Sequence, residues 1–360
     1  MPQLHWLNAS VETDASKWSA ACADLGTDTY YLPEYAALYR NQGTPFGVLF
    51  KCDVGTVLYP ILLRSVRLGG EDSPYCDLIS PYGYGGPAVQ AADPSARSTL
   101  FSRFLEAFDN ACHDRSVISE FIRFHPLLEN AALYPSQDRH FHHDTVVIDL
   151  DQSPEQLWRG IRKGHKSSIR KAQRSGVEVR IDPSERYLDA FMALYHSTME
   201  RQSADELYFL PETFFRETVS QLDTSVFMAV AMMGQRVLSA AMFLAGGSYV
   251  HYHFSGSDPE GLDVCANHAL LYEVMLRSRQ EGYLTMNLGG GLSPNDSLLR
   301  FKAGFSPLRK PFFSGRRIHD HAAYCRLIEE RFGGAAPQDA SFFPLYRSPA
   351  PFRNQGIGRT

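Results

Sequence analysis

Tyr249-Val250-His251-Tyr252-His253-Phe254, with Gly256 to Gly261 behind it, is the stretch on which the fold turns. The first six residues read as one long strand and the glycine-bounded run after them as a loop. On the N-terminal side, Ser225 to Ala231 and Arg236 to Leu244 form a strand pair around a Met233-Gly234-Gln235 turn. On the C-terminal side a helix over roughly 266 to 281 stops at Gly282, and Thr285-Met286-Asn287-Leu288 is a last strand. The first half of the chain has the same order. Gly47-Val48-Leu49-Phe50 and Thr56 to Leu63 pair around Asp53-Val54-Gly55, and Tyr75 to Ser80 follows. A Gly/Pro-rich loop, a helix over roughly 95 to 113 and the strand Phe121-Ile122-Arg123-Phe124 complete that copy. Strand pair, strand, loop, helix, strand is an α+β unit with a helix leaving the sheet beside a ligand-sized opening. Two copies imply duplication: one unit over 1–150, a second over 151–335, and a tail over 336–360 that contains Phe342, Phe343 and Phe352.

A segment at the start of the second unit stands out by charge. Between Glu155 and Glu178 lie seven basic side chains and no acidic one: Arg159, Arg162, Lys163, Lys166, Arg170, Lys171 and Arg174. The chain's formal net charge is −5, so the remainder sums to −12. A basic strip on an acidic body is a local device for holding an anion. The segment reads as one helix, with Ser153-Pro154-Glu155-Gln156 as capping box and proline start and Ser175-Gly176 as stop. At 3.6 residues per turn Arg159, Lys163, Lys166, Arg170 and Arg174 share one face. Trp158, Ile161, Ile169 and Ala172 lie on another, suited to packing on the body. Without i,i+4 carboxylates the basic face repels itself, which favours an anionic ligand over a merely solvated surface.

Composition bounds the remaining possibilities. The 360 residues are 44% hydrophobic and 21% charged, the balance of a globular protein with room for two cores. No apolar run reaches the roughly 18–20 residues of a membrane helix. Met1-Pro2-Gln3-Leu4-His5 lacks the basic start and apolar core of a signal peptide. Cys22, Cys52, Cys76, Cys112, Cys265 and Cys325 show no C-x-x-C spacing, which fits a reducing cytoplasm rather than a disulfide framework or metal site. His140, His142 and His143 flank an apolar strand without a carboxylate at ligand spacing, so they read as surface histidines and no metal is expected.

The element order of each half resembles the GNAT N-acyltransferase fold, and the tandem arrangement resembles the Fem family of FemABX-like aminoacyl transferases. Four stretches carry the resemblance: the basic segment Arg159 to Ala172, the loop Ser80-Pro81-Tyr82-Gly83-Tyr84-Gly85-Gly86-Pro87, the strand end Arg123-Phe124-His125-Pro126, and Phe301-Lys302-Ala303-Gly304-Phe305. The resemblance implies mixed sheets flanked by helices and an amide-forming transferase. Fem-type enzymes move an amino acid from aminoacyl-tRNA to an amine of a peptidoglycan precursor or small peptide, and some relatives use acyl-CoA instead. Ordinary GNATs hold the CoA pyrophosphate with a basic, glycine-spaced turn at a helix N-terminus. At the matching place this chain has Asp258-Pro259-Glu260-Gly261-Leu262-Asp263, whose three carboxylates repel a pyrophosphate.

The implied chemistry needs a neutral amine near the carbonyl, a stabilised oxyanion and a proton for the leaving group. The resemblance places Lys302 and Phe301 at the site, with Lys302 stabilising charge in an apolar setting. His251 and His253 are expected on one face of the long strand and Tyr252 and Phe254 on the other. His253 is a candidate proton relay, and Tyr252 and Ser255 are candidates for orienting the acceptor or protonating the leaving group. Tyr82, Tyr84, Gly85 and Arg123 are candidates for acceptor binding. Arg159, Lys163, Lys166, Arg170 and Arg174 are candidates for phosphate binding, on the tRNA acceptor end or on an anionic acceptor. No triad-like Ser/His/Asp or Cys/His set is present, which disfavours an acyl-enzyme. Gly289-Gly290-Gly291 lacks the Lys-Ser/Thr of a P-loop and reads as an exit from the last strand. Charged tRNA and a small-molecule or peptide amine are the expected partners, with no DNA and no further cofactor. Acyl-CoA replaces the tRNA in a second reading, and a non-catalytic RNA or polyanion binder is a third.

Overall fold

The computed structural model describes residues 2–68, 71–182, 185–291, 296–333 and 342–348. In chain order its main elements are β1 (Gln3–Asn8), α1 (Glu12–Leu25), α2 (Pro33–Ala37), β2 (Thr44–Cys52), β3 (Gly55–Leu68), β4 (Glu71–Ile79), β5 (Ala88–Ala91), α3 (Arg97–Asp114) and β6 (Val117–Arg123). They continue with β7 (Arg139–Asp149), α4 (Pro154–Gly160), α5 (Lys163–Arg174), β8 (Glu178–Asp182), α6 (Leu188–Arg201), α7 (Glu212–Leu222), β9 (Val226–Met233), β10 (Arg236–Gly246) and β11 (Tyr249–Ser257). The last are α8 (Pro259–Asp263), α9 (Ala266–Gln280), β12 (Thr285–Gly289), α10 (Ser297–Lys302), β13 (Arg309–Ile318) and α11 (His321–Phe332).

These elements form two compact units that are not consecutive halves. The first is built from 1–21, 39–141 and 313–360, the second from 22–38 and 142–312. In the first, strands lie in the order β1-β2-β3-β4-β6-β13, with β5 added on β3. Helix α3 buries Leu100, Phe101, Phe104, Phe108 and Cys112 at i, i+4, i+8 spacings against Val48, Tyr59, Ile61 and Ile122 of the sheet. Truncating a fully buried Phe104 or Phe108 there costs about 3–5 kcal/mol. The tail residues Phe343, Leu345 and Tyr346 pack on α11 and Val66 of the same unit. Phe352 lies outside the described residues.

In the second unit the order is β7-β12-β11-β10-β9-β8. Only the β11–β12 pair is parallel, so the sheet is mixed. Ile169 and Ala172 of α5 and Leu270, Val274 and Met275 of α9 pack on Ala241, Phe243, Ala245 and Val250. Each unit repeats the antiparallel pair, long strand, helix and parallel return strand expected from the sequence: β2-β3-β4-α3-β6 and β9-β10-β11-α9-β12.

The basic segment is two helices rather than one. The Ser153 capping box with Gln156 forms as expected, and Gly176 ends α5 with φ 79°. Between them α4 stops at Gly160, Ile161 turns extended and buries, and the Arg162 amide donates to the Gly304 carbonyl at 2.9 Å. Arg159 therefore sits on α4, while Lys163, Lys166, Arg170 and Arg174 line one face of α5. The run after the long strand is also more ordered than a loop: β11 continues to Ser257 and α8 follows.

Candidate active site

In the second unit, β11 and β12 pair as Tyr249↔Thr285, Val250↔Met286 and His251↔Asn287, and the pairing ends there. β11 runs six residues further, to Ser257. Its register with β10 slips at the same point, with Phe243 opposite Tyr252 and Met242 opposite Phe254. His253 is thus the extra residue of a β-bulge, a feature that re-aims side chains. The bulge overturns the expected alternation. Tyr252 packs with Phe243 and the α5/α9 core, whereas Phe254 crosses to Tyr195, Phe214 and Phe215 of α6 and α7.

Lys302, at the end of α10, reaches the place where β11 and β12 part. Its Nζ donates to the Gly290 carbonyl at 2.7 Å and lies 5.8 Å from the centre of the Tyr252 ring. The residue is 8% exposed and, among the described residues, has no carboxylate within ion-pair distance. Burial lowers its pKa to about 8, with Asp296 acting the other way. Burial raises the Tyr252 phenol to about 12, opposed by its hydrogen bond with Ser255, so Tyr252 stays protonated at neutral pH. Phe301 packs beside Lys302 as part of the wall. Its carbonyl accepts from His165 Nε2 at 2.7 Å, and its ring packs with His165, His268 and Phe305. Gly304 is required by this packing: a Cβ there would lie 2.2 Å from the His165 ring.

The histidines of β11 are held from a segment that sequence reasoning passed over. Asp28 accepts from the Tyr30 amide through Oδ1 (3.0 Å) and from His251 Nε2 through Oδ2 (2.7 Å), both side chains being 1% exposed. The Asn287 amide nitrogen lies 3.3 Å from His251 Nδ1, which assigns the imidazole proton to Nε2. Tyr30 Oη and His253 Nδ1 share a hydrogen bond at 3.1 Å. Burial, helped by neighbouring His251, lowers His253 to about 3, so its ring is neutral. The Asp28-to-Tyr30 stretch lies more than 200 residues from β11 in sequence and carries no motif. Asn287 had a signal, as a polar residue inside an apolar strand.

The turn Asp258 to Asp263 after β11 is self-satisfied. Asp258 caps α8, its Oδ1 accepting from the Gly261 amide at 2.6 Å. Arg236 donates to Asp258 at 2.7 Å and also to Glu260. The amide and the cation that would greet a phosphate are both engaged by the chain's own carboxylates.

The basic strip is exposed apart from half-buried Lys166, and among the described residues none of its seven cations forms an ion pair. Lys166 and Lys171 instead donate to the carbonyls of Arg159 (3.1 Å) and Asp263 (2.5 Å).

The acceptor-loop candidates form a separate set in the first unit. Arg123 Nε donates to the Gly83 carbonyl (3.1 Å) and its guanidinium lies 5.2 Å from the Tyr82 ring centre. Tyr82 is 37% exposed, and Tyr84 packs edge-on to His125 at 5.6 Å. Gly85 bridges to Phe124, its carbonyl taking bonds from the His125 amide and Asn130 Nδ2.

Comparison with known proteins agrees with this architecture. FemX superposes with a TM-score of 0.67 at 14% identity, over 88% of this chain and 98% of that one. The fold is FemX-like. A conserved protein of unknown function from Bacteroides thetaiotaomicron matches the FemX-like chain at TM-score 0.53 and 10% identity, over 88% of this chain and 99% of that one. Residues 159–302 match the acetyltransferase (GNAT) domain family. Those bounds open at Arg159 and close at Lys302, enclosing β11, its bulge and the strand opening. No curated protein matches the chain in sequence. The FemX-like architecture is two tandem GNAT-like units of α+β type, and with the domain match it supports an acyltransferase. Among the described residues no helix is long and apolar enough to cross a membrane.

Proposed function

We propose that the protein transfers an aminoacyl group from aminoacyl-tRNA to the amine of a small peptide, metabolite or cell-wall precursor. The observation that carries the choice of donor is the turn at Asp258 to Asp263. Its capping amide and Arg236 are occupied internally, while among the described residues the seven cations of the basic segment form no ion pair. The phosphate-binding capacity of this unit therefore lies on the basic helices, away from the usual CoA turn.

In the reaction the amine nitrogen attacks the ester carbonyl, the carbon–nitrogen bond forms, and the ribose oxygen leaves and must gain a proton. The Lys302 ammonium, with no carboxylate within ion-pair distance among the described residues, stabilises the developing oxyanion. With its pKa lowered to about 8 it is also a stronger acid than an ordinary lysine and can protonate the leaving oxygen, recovering a proton from the amine. Tyr252, protonated and bonded to Ser255, orients the same oxygen. His253, neutral and fixed by Tyr30, accepts a hydrogen bond from the incoming amine.

A second reading, acyl-CoA-dependent N-acylation, is favoured by the acetyltransferase family match over residues 159–302. The test separates the two: incubate the protein with a full set of charged tRNAs and a panel of amines, and in parallel with acetyl-CoA. Amide formation with charged tRNA is expected. Transfer from acetyl-CoA alone, or a rise in melting temperature with micromolar coenzyme A, overturns the donor assignment.

A further inference from the structure

Beside the basic face, α4, α5 and α9 enclose an open groove of about 490 Å³ whose floor is aromatic. Trp158 and Tyr272 meet edge to face at 5.1 Å. The Arg170 guanidinium lies 5.3 Å and the Lys166 ammonium 5.9 Å from the centre of the Trp158 ring, and Arg159 lines the same groove. Glu155 is its one lining carboxylate, held by the Ser153 hydroxyl at 2.7 Å. A site for a bare phosphate or sulfate needs cations and amides and gains nothing from a tryptophan. A site for a lipid chain or peptide side chain needs the apolar floor without two arginines. Aromatic faces and arginines in one groove match a ligand that has both a flat π-surface and a phosphate.

We infer that this groove binds a nucleotide, with the base against Trp158 and Tyr272 and its phosphate on Arg159 and Arg170. Glu155 is then placed to accept from a base amino group, as carboxylates do in base recognition. α5 connects the groove to the transfer site. It is about 18 Å long by its helical rise, has His165 against Phe301 near its start and ends at Arg174. The nucleotide can be one of the unpaired residues at an RNA 3′ end, or part of a nucleotide-linked metabolite. The first source rests on the proposed donor; the groove chemistry is common to both.

The test is equilibrium binding, which does not require transfer activity. The full chain is titrated with a single-stranded RNA tetranucleotide, with adenosine and uridine mononucleotides, and with inorganic phosphate and heparin as charge controls, reading tryptophan fluorescence in the native chain and, for affinities of all variants, isothermal titration calorimetry. Quenching by a nucleotide ligand is expected and should vanish in Trp158→Phe, which keeps an aromatic ring while removing the reporter. Trp158→Ala should weaken binding about tenfold or more, and Arg170→Gln should weaken it and reduce its salt dependence. A preference for the RNA tetranucleotide over mononucleotides assigns the RNA source, and the reverse assigns a nucleotide-linked metabolite. Equal affinity for heparin and RNA with no loss in Trp158→Ala overturns the proposal. So does saturation by inorganic phosphate alone. Circular dichroism and melting of Trp158→Phe and Arg170→Gln show whether a loss reflects folding.

Discussion

The two units share an element order and differ where their long strands meet the parallel return strand. In the first, β4 and β6 stay paired from Cys76↔Val117 to Ile79↔Phe121, and Ser80 N and the Gly85–Phe124 bridge extend the seam beyond the strand end. In the second, β11 and β12 part after three pairs, and Lys302 enters there. Buried charge follows the same division. Glu120, in the first unit, is fully buried and bound by Tyr59 (2.7 Å), Arg317 (3.0 Å) and His319 (3.3 Å). Asp77 is likewise held by Arg64, Tyr346 and Arg347. Lys302 has a carbonyl and an aromatic face and, among the described residues, no carboxylate within ion-pair distance, Asp296 acting on it only from further off. A buried charge whose partners are all internal fixes a structure; one left without a counter-charge is available to a ligand.

The largest effect that tests this contrast is at Lys302. Lys302→Met should reduce kcat about 10²–10³-fold in the transfer assay, the scale of losing an oxyanion-stabilising group, with unchanged or raised stability because a desolvated cation is removed. A stable variant with full activity would break the comparison. Arg317→Ala should do the reverse, lowering stability by about 3–5 kcal/mol by stranding Glu120, with kcat retained at temperatures below the melt. Burial alone would raise the Glu120 pKa, but the hydrogen bond from His319, then Arg317, hold it below its ordinary value. Its stabilising effect is present above the unfolded carboxylate range and lost as pH falls through the lowered folded value, so acid melting should move to higher pH in Arg317→Ala.

Lys302 has the opposite linkage. Its folded pKa of about 8 lies below the ordinary 10.5, so the cost of burying the ammonium is fully present below pH 8 and is relieved as pH rises toward 10.5. Melting temperature should climb over that window by the equivalent of roughly 1–3 kcal/mol, and the climb should be absent in Lys302→Met. Tyr30→Phe is the mildest change. It removes the hydroxyl from His253 and should cost about tenfold or less in kcat with little change in KM; an unchanged kcat would assign Tyr30–His253 to packing alone.

Much of this was readable from the residues. The capping box at Ser153, the stop at Gly176 and the strand pairs follow local rules of propensity and spacing, and they stand where those rules put them; the Phe301-Lys302 element was marked by a family resemblance instead. The break between α4 and α5 was not, because Ile161 buries and Arg162 bonds to Gly304 only once α10 is in place. The bulge at His253 was not, because a register slip is a property of two strands, and it sent Phe254 to the face opposite Tyr252.

The sequence by itself determined the duplicated α+β units, the basic strip and the acidic turn in place of a phosphate loop, since periodicity, caps and charge are local quantities. Only the tertiary structure decided which buried charges would be held by ion pairs. That depends on β11 and β12 separating and on Asp28 arriving from far away in sequence, and no local pattern encodes where a distant carboxylate will come to rest.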